Sequence, residues 1–241
     1  MPELDAQRQR DLAVFADEVL AALGDDFVGV ILYGSAAGAD WIPGRSDVNT
    51  VIVLRRASVG ALDRLAPLIA RWRPKGFALP VLLDRDQVEH ARQLFPMELH
   101  DIKRQHRVLA GEDPFAAIAT DEAALRRECA QEAFGKLLRL RAFYLEHASD
   151  ATRLADMMTE SSKSFIIVIR HLLWLRGRAA PPASDAVLAA GEQAVGPLPA
   201  VRQFAAQRQA PSRDGRRLRE LAGAYVEEVE RVVAAVVAYC V

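Results

Sequence analysis

The stretch Val30 to Leu54, VILYGSAAGADWIPGRSDVNTVIVL, constrains the fold most tightly. An apolar run stops at Gly34-Ser35, passes through a loop rich in Gly, Pro and Asp, and resumes after Ser46-Asp47-Val48-Asn49. Short apolar runs bounded by turn residues read as two buried strands. Both strands then aim polar groups at one place. Glycine permits a tight turn and a close approach of backbone to an anion. The Ser35 N–H and hydroxyl, near a helix start, can hold phosphate oxygens. Side chains two apart on a strand share a face, so Asp47 and Asn49 project together. A hard cation such as Mg²⁺ takes oxygen ligands from one or two carboxylates and from substrate phosphates. The pattern therefore suits metal-assisted phosphoryl transfer, although a Gly-Ser turn or an Asp at a strand entry is common by itself.

A strand, Gly34-Ser35, a spacer, and then Ser46-Asp47-Val48-Asn49 entering a strand resembles the nucleotidyltransferase superfamily, to which DNA polymerase beta and the aminoglycoside nucleotidyltransferases belong. The resemblance implies transfer of a nucleoside monophosphate from an NTP with two Mg²⁺ ions. It implies that Gly34 and Ser35 grip the triphosphate, that Asp47 is the first metal-binding Asp, and that a third carboxylate sits on a later strand. The second Asp of the family pattern is Asn49 here. Its carbonyl oxygen can ligate Mg²⁺ but lacks the charge that holds two cations close together. Each loss of about 1.4 kcal/mol in transition-state stabilisation costs tenfold in rate.

The chain has 241 residues, of which 51% are hydrophobic, enough for a large core in one large domain or two small ones. Lys+Arg 31 against Asp+Glu 32 leaves a net charge of −1, which argues against a strongly electrostatic nucleic-acid binder. Cys129 and Cys240 are far apart in sequence with no CxxC or Cys/His cluster, so neither a zinc site nor a disulfide framework is expected, and a reducing cytoplasmic home fits. The N-terminus has no apolar signal core. The apolar tail Val232 to Val241 is far short of the roughly 20 residues of a membrane span and reads as the end of a packed helix.

Leu12, Phe15, Ala16, Val19, Leu20 and Leu23 recur at helical spacing up to Gly24. Phe27 to Leu32 reads as a strand, and Trp41 as an anchor for the loop that follows. Ser58 caps a helix carrying Leu62, Leu65, Ala66, Ile69 and Trp72, which Pro74 and Gly76 end. Phe77 to Leu83 reads as an edge strand because Pro80 cannot donate to a ladder, and Asp84 begins a short helix over Gln87 to Leu94. Phe95 to Ile102 reads as the next strand. On it Glu98 matches the third carboxylate that the resemblance implies, as metal ligand and general base, with Asp101 as the alternative and a solvent-facing Glu as the plain reading. Gly111 to Pro114 is a strong turn.

From about Thr120 the period becomes helical and stays so. Long stripes run from Leu125 to Tyr144 and from Leu154 to Leu172, short helices follow near Ser184 and Ala200 to Gln209, and a last helix starts near Asp214. Lys136 and Lys163 read as solvated. Arg141 and His147 match the loose spacing of HEPN ribonucleases, but Ala142 replaces that family's polar residue, and chance is the better account.

The expected architecture is α+β: a mixed-sheet nucleotidyltransferase-like domain over residues 1–118 and an α-helical bundle over 119–241. The expected function is transfer of an NMP, with AMP favoured, from a Mg-NTP to a hydroxyl of a small molecule or protein. Asp47 and Glu98 are the expected catalytic residues, Gly34 and Ser35 bind phosphate, and Asp47, Asn49 and Glu98 bind metal. The expected partners are a nucleotide and an acceptor, with no membrane; a homodimer is left open. The alternative is a degenerate member that binds a nucleotide or a partner as an antitoxin-like regulator.

Overall fold

The computed structural model describes residues 4–38, 41–42, 44, 46–207 and 215–241. Pro43 and the expected helix ends at Gln209 and Asp214 lie outside the described residues. The chain divides into two compact units, Met1–Ala124 and Leu125–Val241.

The first unit is built on a four-stranded mixed sheet of order β3-β2-β1-β4, with β1 Phe27–Tyr33, β2 Asn49–Leu54, β3 Val81–Asp84 and β4 His106–Gly111. β1 runs antiparallel to both β2 and β4, and β2 runs parallel to β3. Side-chain alternation splits the sheet between two cores. Val30, Leu32, Ile52 and Leu54 pack with Leu12, Phe15, Val19, Leu65 and Trp72 of α1 (Ala6–Leu23) and α2 (Val59–Trp72). Ile31, Val51 and Val53 pack with Val88, Ala91, Leu99, Ile102 and Phe115 on the opposite face.

Local chemistry sets the helix ends. Asp5 caps α1 by accepting from the Arg8 N–H, and Ser58 caps α2 by accepting from the Ala61 N–H. Phe15, Trp72 and Phe77 meet edge-on or tilted at 4.7 to 5.6 Å between ring centres, and the Trp72 Nε1–H donates to Glu18 at 2.6 Å. This meets the requirement that a buried indole N–H find a partner. β3 is an edge strand, as Pro80 implied.

One expected element is different in kind. Phe95 to Ile102 is not a strand: Pro96–Arg104 forms helix α4, directly after α3 (Arg85–Leu94), so Glu98 lies in a helical first turn. Pro96 at the first helical position has the right φ and loses no needed N–H, Glu98 complements the positive end of the helix dipole, and Lys103 and Arg104 complement the negative end. The alternation of Phe95, Met97 and Leu99 imitated a strand within this short segment. The fourth strand is instead β4, with Gly111 at φ 79 closing it.

The second unit is all helical: α5 Glu122–His147, α6 Ala151–Leu175, α7 Ser184–Val195, α8 Pro199–Gln207 and α9 Gly215–Cys240. α6 packs against α7, α8 and α9. Gly191 of α7 lets that helix approach α6 closely, since a Cβ there would lie 2.5 Å from Ile169 Cγ2. Tyr225 is fully buried, its hydroxyl 2.6 Å from Ser161 Oγ and its ring edge-on to Phe204. Arg141 is paired with Glu230 at 2.7 Å, and His147 stacks on Phe143 at 4.1 Å. Lys136 pairs with Glu132. These contacts give all three side chains structural partners. Among the described residues no helix is long and apolar enough to cross a membrane.

Candidate functional site

Gly34 follows the last residue of β1 and opens a 3₁₀ turn, Gly34–Ala37, that carries Ser35. Gly34 has φ +72, and a Cβ built on it would sit 3.2 Å from the Asn49 Nδ2. A side chain there would be strained by the backbone and crowded by Asn49. Further along, the end of the Gln105 side chain lies across Gly38 and would have to swing aside for a Cβ there. The Gly38 N–H closes the turn on the Ser35 carbonyl at 3.0 Å.

Asn49 begins β2 and is the cross-strand partner of Tyr33. Val48 is buried in the α1/α2 core, so the alternation directs Asp47 to the face that Tyr33 and Asn49 share. Asp47 is exposed and Asn49 half-buried. Ser46 organises the entry: its Oγ accepts from the Ile42 N–H at 3.0 Å, and its own N–H donates to the Ile42 carbonyl at 2.9 Å. Trp41 is buried with the Arg8 guanidinium 5.7 Å from its ring centre, which makes it a loop anchor.

Glu98 comes to this face from α4. Its Oε1 accepts from the Tyr33 hydroxyl at 3.0 Å. Burial and then the Glu98 charge push the Tyr33 phenol well above its ordinary range, so Tyr33 stays protonated and remains a donor. Tyr33, the cross-strand neighbour of Asn49, therefore holds Glu98. The position of Tyr33 immediately before Gly34 was the only available signal. His106, on the other side of Tyr33 in the sheet, bonds Asp113 at 2.9 Å. Burial alone would raise the Asp113 carboxyl, but this bond and that from the Phe115 N–H hold it below the usual carboxylate value. The Asp113 bonds order the turn after β4.

The strand beside β2 supplies no carboxylate here. β3 reads Val-Leu-Leu-Asp, and its Asp84 is opposite Leu54 at the far end of β2 from Asn49, roughly 16 Å away at about 3.3 Å per residue. Asp84 is instead the N-cap of α3 in a capping box with Gln87. Asp101, the alternative third carboxylate, lies on α4 near its last turn and has Arg104 as an ion-pair partner at 3.7 Å. Asp47 and Asn49 thus stand at the entry to β2, Glu98 bonds Tyr33, the cross-strand neighbour of Asn49, and Ser35 lies in the Gly34–Ala37 turn that follows β1.

No family model matches the chain, and no curated protein matches it by sequence. Its structure is similar to that of spectinomycin adenyltransferase AAD(9) from Enterococcus faecialis, crystallised with ATP and spectinomycin. The TM-score is 0.58 at 13% identity, covering 94% of this chain and all of that one. The chain therefore has a nucleotidyltransferase-like α+β fold, with a mixed sheet followed by helices.

Proposed function

We propose that the chain binds a nucleoside triphosphate with Mg²⁺ and transfers its NMP, with AMP favoured, to a hydroxyl of a small molecule or protein. The observation that carries this reading is the Gly34 turn at the end of β1, with Asn49 of the neighbouring strand packed directly against it. In this reading the turn supplies the phosphate-binding groups and the neighbouring strand entry supplies the oxygen donors, which is what nucleotide chemistry needs. The likeness to an adenyltransferase solved with ATP supports it.

The donor set fits one Mg²⁺ held jointly with substrate phosphates. Asp47 supplies a carboxylate, Asn49 an amide oxygen and Glu98 a second carboxylate already engaged by Tyr33. A bound Mg²⁺ would screen phosphate charge as a Lewis acid. Gly34 and Ser35 would position the triphosphate, while Glu98 is the group available to accept the acceptor hydroxyl proton. Two cations in close contact would need more negative charge than this set carries.

A second reading, a nucleotide- or partner-binding regulator without turnover, is favoured by Asn49 together with the apolar β3. Calorimetric titration with a non-hydrolysable ATP analogue, with and without Mg²⁺, tests the site. Mg²⁺-dependent binding should weaken at least about tenfold in Asp47→Ala. Failure to bind ATP, GTP, CTP and UTP analogues would overturn the proposal. Binding with no NMP transfer to any hydroxyl acceptor would select the regulator.

A further inference from the structure

The two cysteines, remote in sequence, meet in the helical unit. Arg126 and Cys129 lie one turn apart on the same face of α5. That face looks onto the end of α9: the Arg126 guanidinium donates to the Tyr239 carbonyl and hydroxyl, both at 3.4 Å, and stacks 4.7 Å from the Tyr239 ring centre. Arg176, just past α6, stacks on the same ring at 5.2 Å, and the Tyr239 hydroxyl donates to the Leu175 carbonyl at 2.7 Å. The next residue, Cys240, is half-exposed and lies close enough to Cys129 for the two thiols to interact. Cys129 is fully buried, with the Val168 carbonyl 3.9 Å from its Sγ. Neither cysteine is in a disulfide.

The two thiols have unequal surroundings. Hydrogen bonding from Cys129, and then the charges of Arg126 and Arg176, outweigh burial and bring the Cys240 thiol down to about 7. The thiolate at Cys240, burial and the Glu128 charge push the Cys129 thiol far up. One thiol is therefore nucleophilic and reachable, and the other is held protonated beside it.

We propose that Cys129 and Cys240 form an oxidation site, in which a hydroperoxide oxidises Cys240 and Cys129 resolves the product as an intramolecular disulfide joining α5 to α9. The Cys240 thiolate attacks one peroxide oxygen, the O–O bond breaks, and with hydrogen peroxide the leaving hydroxide takes a proton to become water. Cys240 becomes a sulfenic acid, oxidised by two electrons as the peroxide is reduced. Cys129 sulfur then displaces the hydroxyl, forming the S–S bond and releasing a second water with the Cys129 proton. The bridge closes a loop through most of the helical unit and stabilises it by restricting the unfolded chain.

The test treats the folded full chain with stoichiometric hydrogen peroxide, denatures it in an alkylating agent and reads intact mass and tryptic peptides. The expected product is a monomer lacking two hydrogens, unalkylated, with Cys129 and Cys240 in one peptide pair. Cys129→Ser should stop at a Cys240 sulfenic acid trapped by dimedone, and Cys240→Ser should leave Cys129 reduced. Circular dichroism checks that both variants fold. A kinetic arm follows the alkylation rate of Cys240 against pH, whose midpoint near 7 should rise in Arg126→Gln. Two alkylated thiols after peroxide, a disulfide only between chains, or a Cys240 alkylation rate no faster than in the denatured chain would each overturn the proposal.

Discussion

Glu228 of α9 is nearly fully buried, and its carboxylate accepts from the Ala200 N–H at 2.9 Å and the Val201 N–H at 2.8 Å. These are the second and third residues of α8, whose own N-cap position is Leu198, a residue with no acceptor in its side chain. A carboxylate from another helix thus does the work that Ser or Asp usually does locally. Glu228→Ala leaves two buried N–H groups unpaired, each costing about 1–3 kcal/mol, against which removal of a buried charge returns part. The expected net loss is about 2–4 kcal/mol, read by urea unfolding followed by far-UV circular dichroism. Glu228→Gln should cost about half as much, since its carbonyl satisfies one N–H while its amide opposes the other. Burial raises the Glu228 carboxyl above its ordinary 4.5 despite the two N–H bonds and Arg231, with Glu192 adding to the rise. A folded-state value above the unfolded one means stability fully present below 4.5 and lost as pH rises through the folded value. The wild type should therefore lose ground to Glu228→Gln as pH rises from 4.5. A Glu228→Ala variant within about 0.5 kcal/mol of wild type would refute the capping argument, and a wild-type advantage over Gln that grows with pH would refute the sign.

Two further outcomes concern the candidate site. Gly34→Ala should destabilise the chain by about 1–2 kcal/mol in thermal or urea unfolding, because an L residue must adopt φ near +72 beside the Asn49 amide; an unchanged midpoint would mean that this turn relaxes freely. Asn49→Asp should tighten Mg²⁺-dependent nucleotide binding about tenfold. A unit charge about 4 Å from a divalent cation gains about 2 kcal/mol in water-like surroundings, less the repulsion from Asp47. Equal affinity in calorimetry would remove the metal from residue 49.

The sequence by itself determined the elements whose signal is local. Periodicity located α1, α2 and the long helices, Ser58 caps α2 through a neighbour three residues on, and Pro80 marked an edge strand. The α+β order followed from these, and so did the placing of Gly34 and Asn49 at two adjoining strand ends. Only the tertiary structure decided the rest. Phe95 to Ile102 carries both a strand-like alternation and a helix start at Pro96, and packing of Leu99 and Ile102 on the sheet selects the helix. The bond from Tyr33 to Glu98, the capping of α8 by Glu228 and the meeting of Cys129 with Cys240 join residues far apart along the chain. No pattern of nearby residues encodes such contacts, because they exist only once burial has fixed which faces meet.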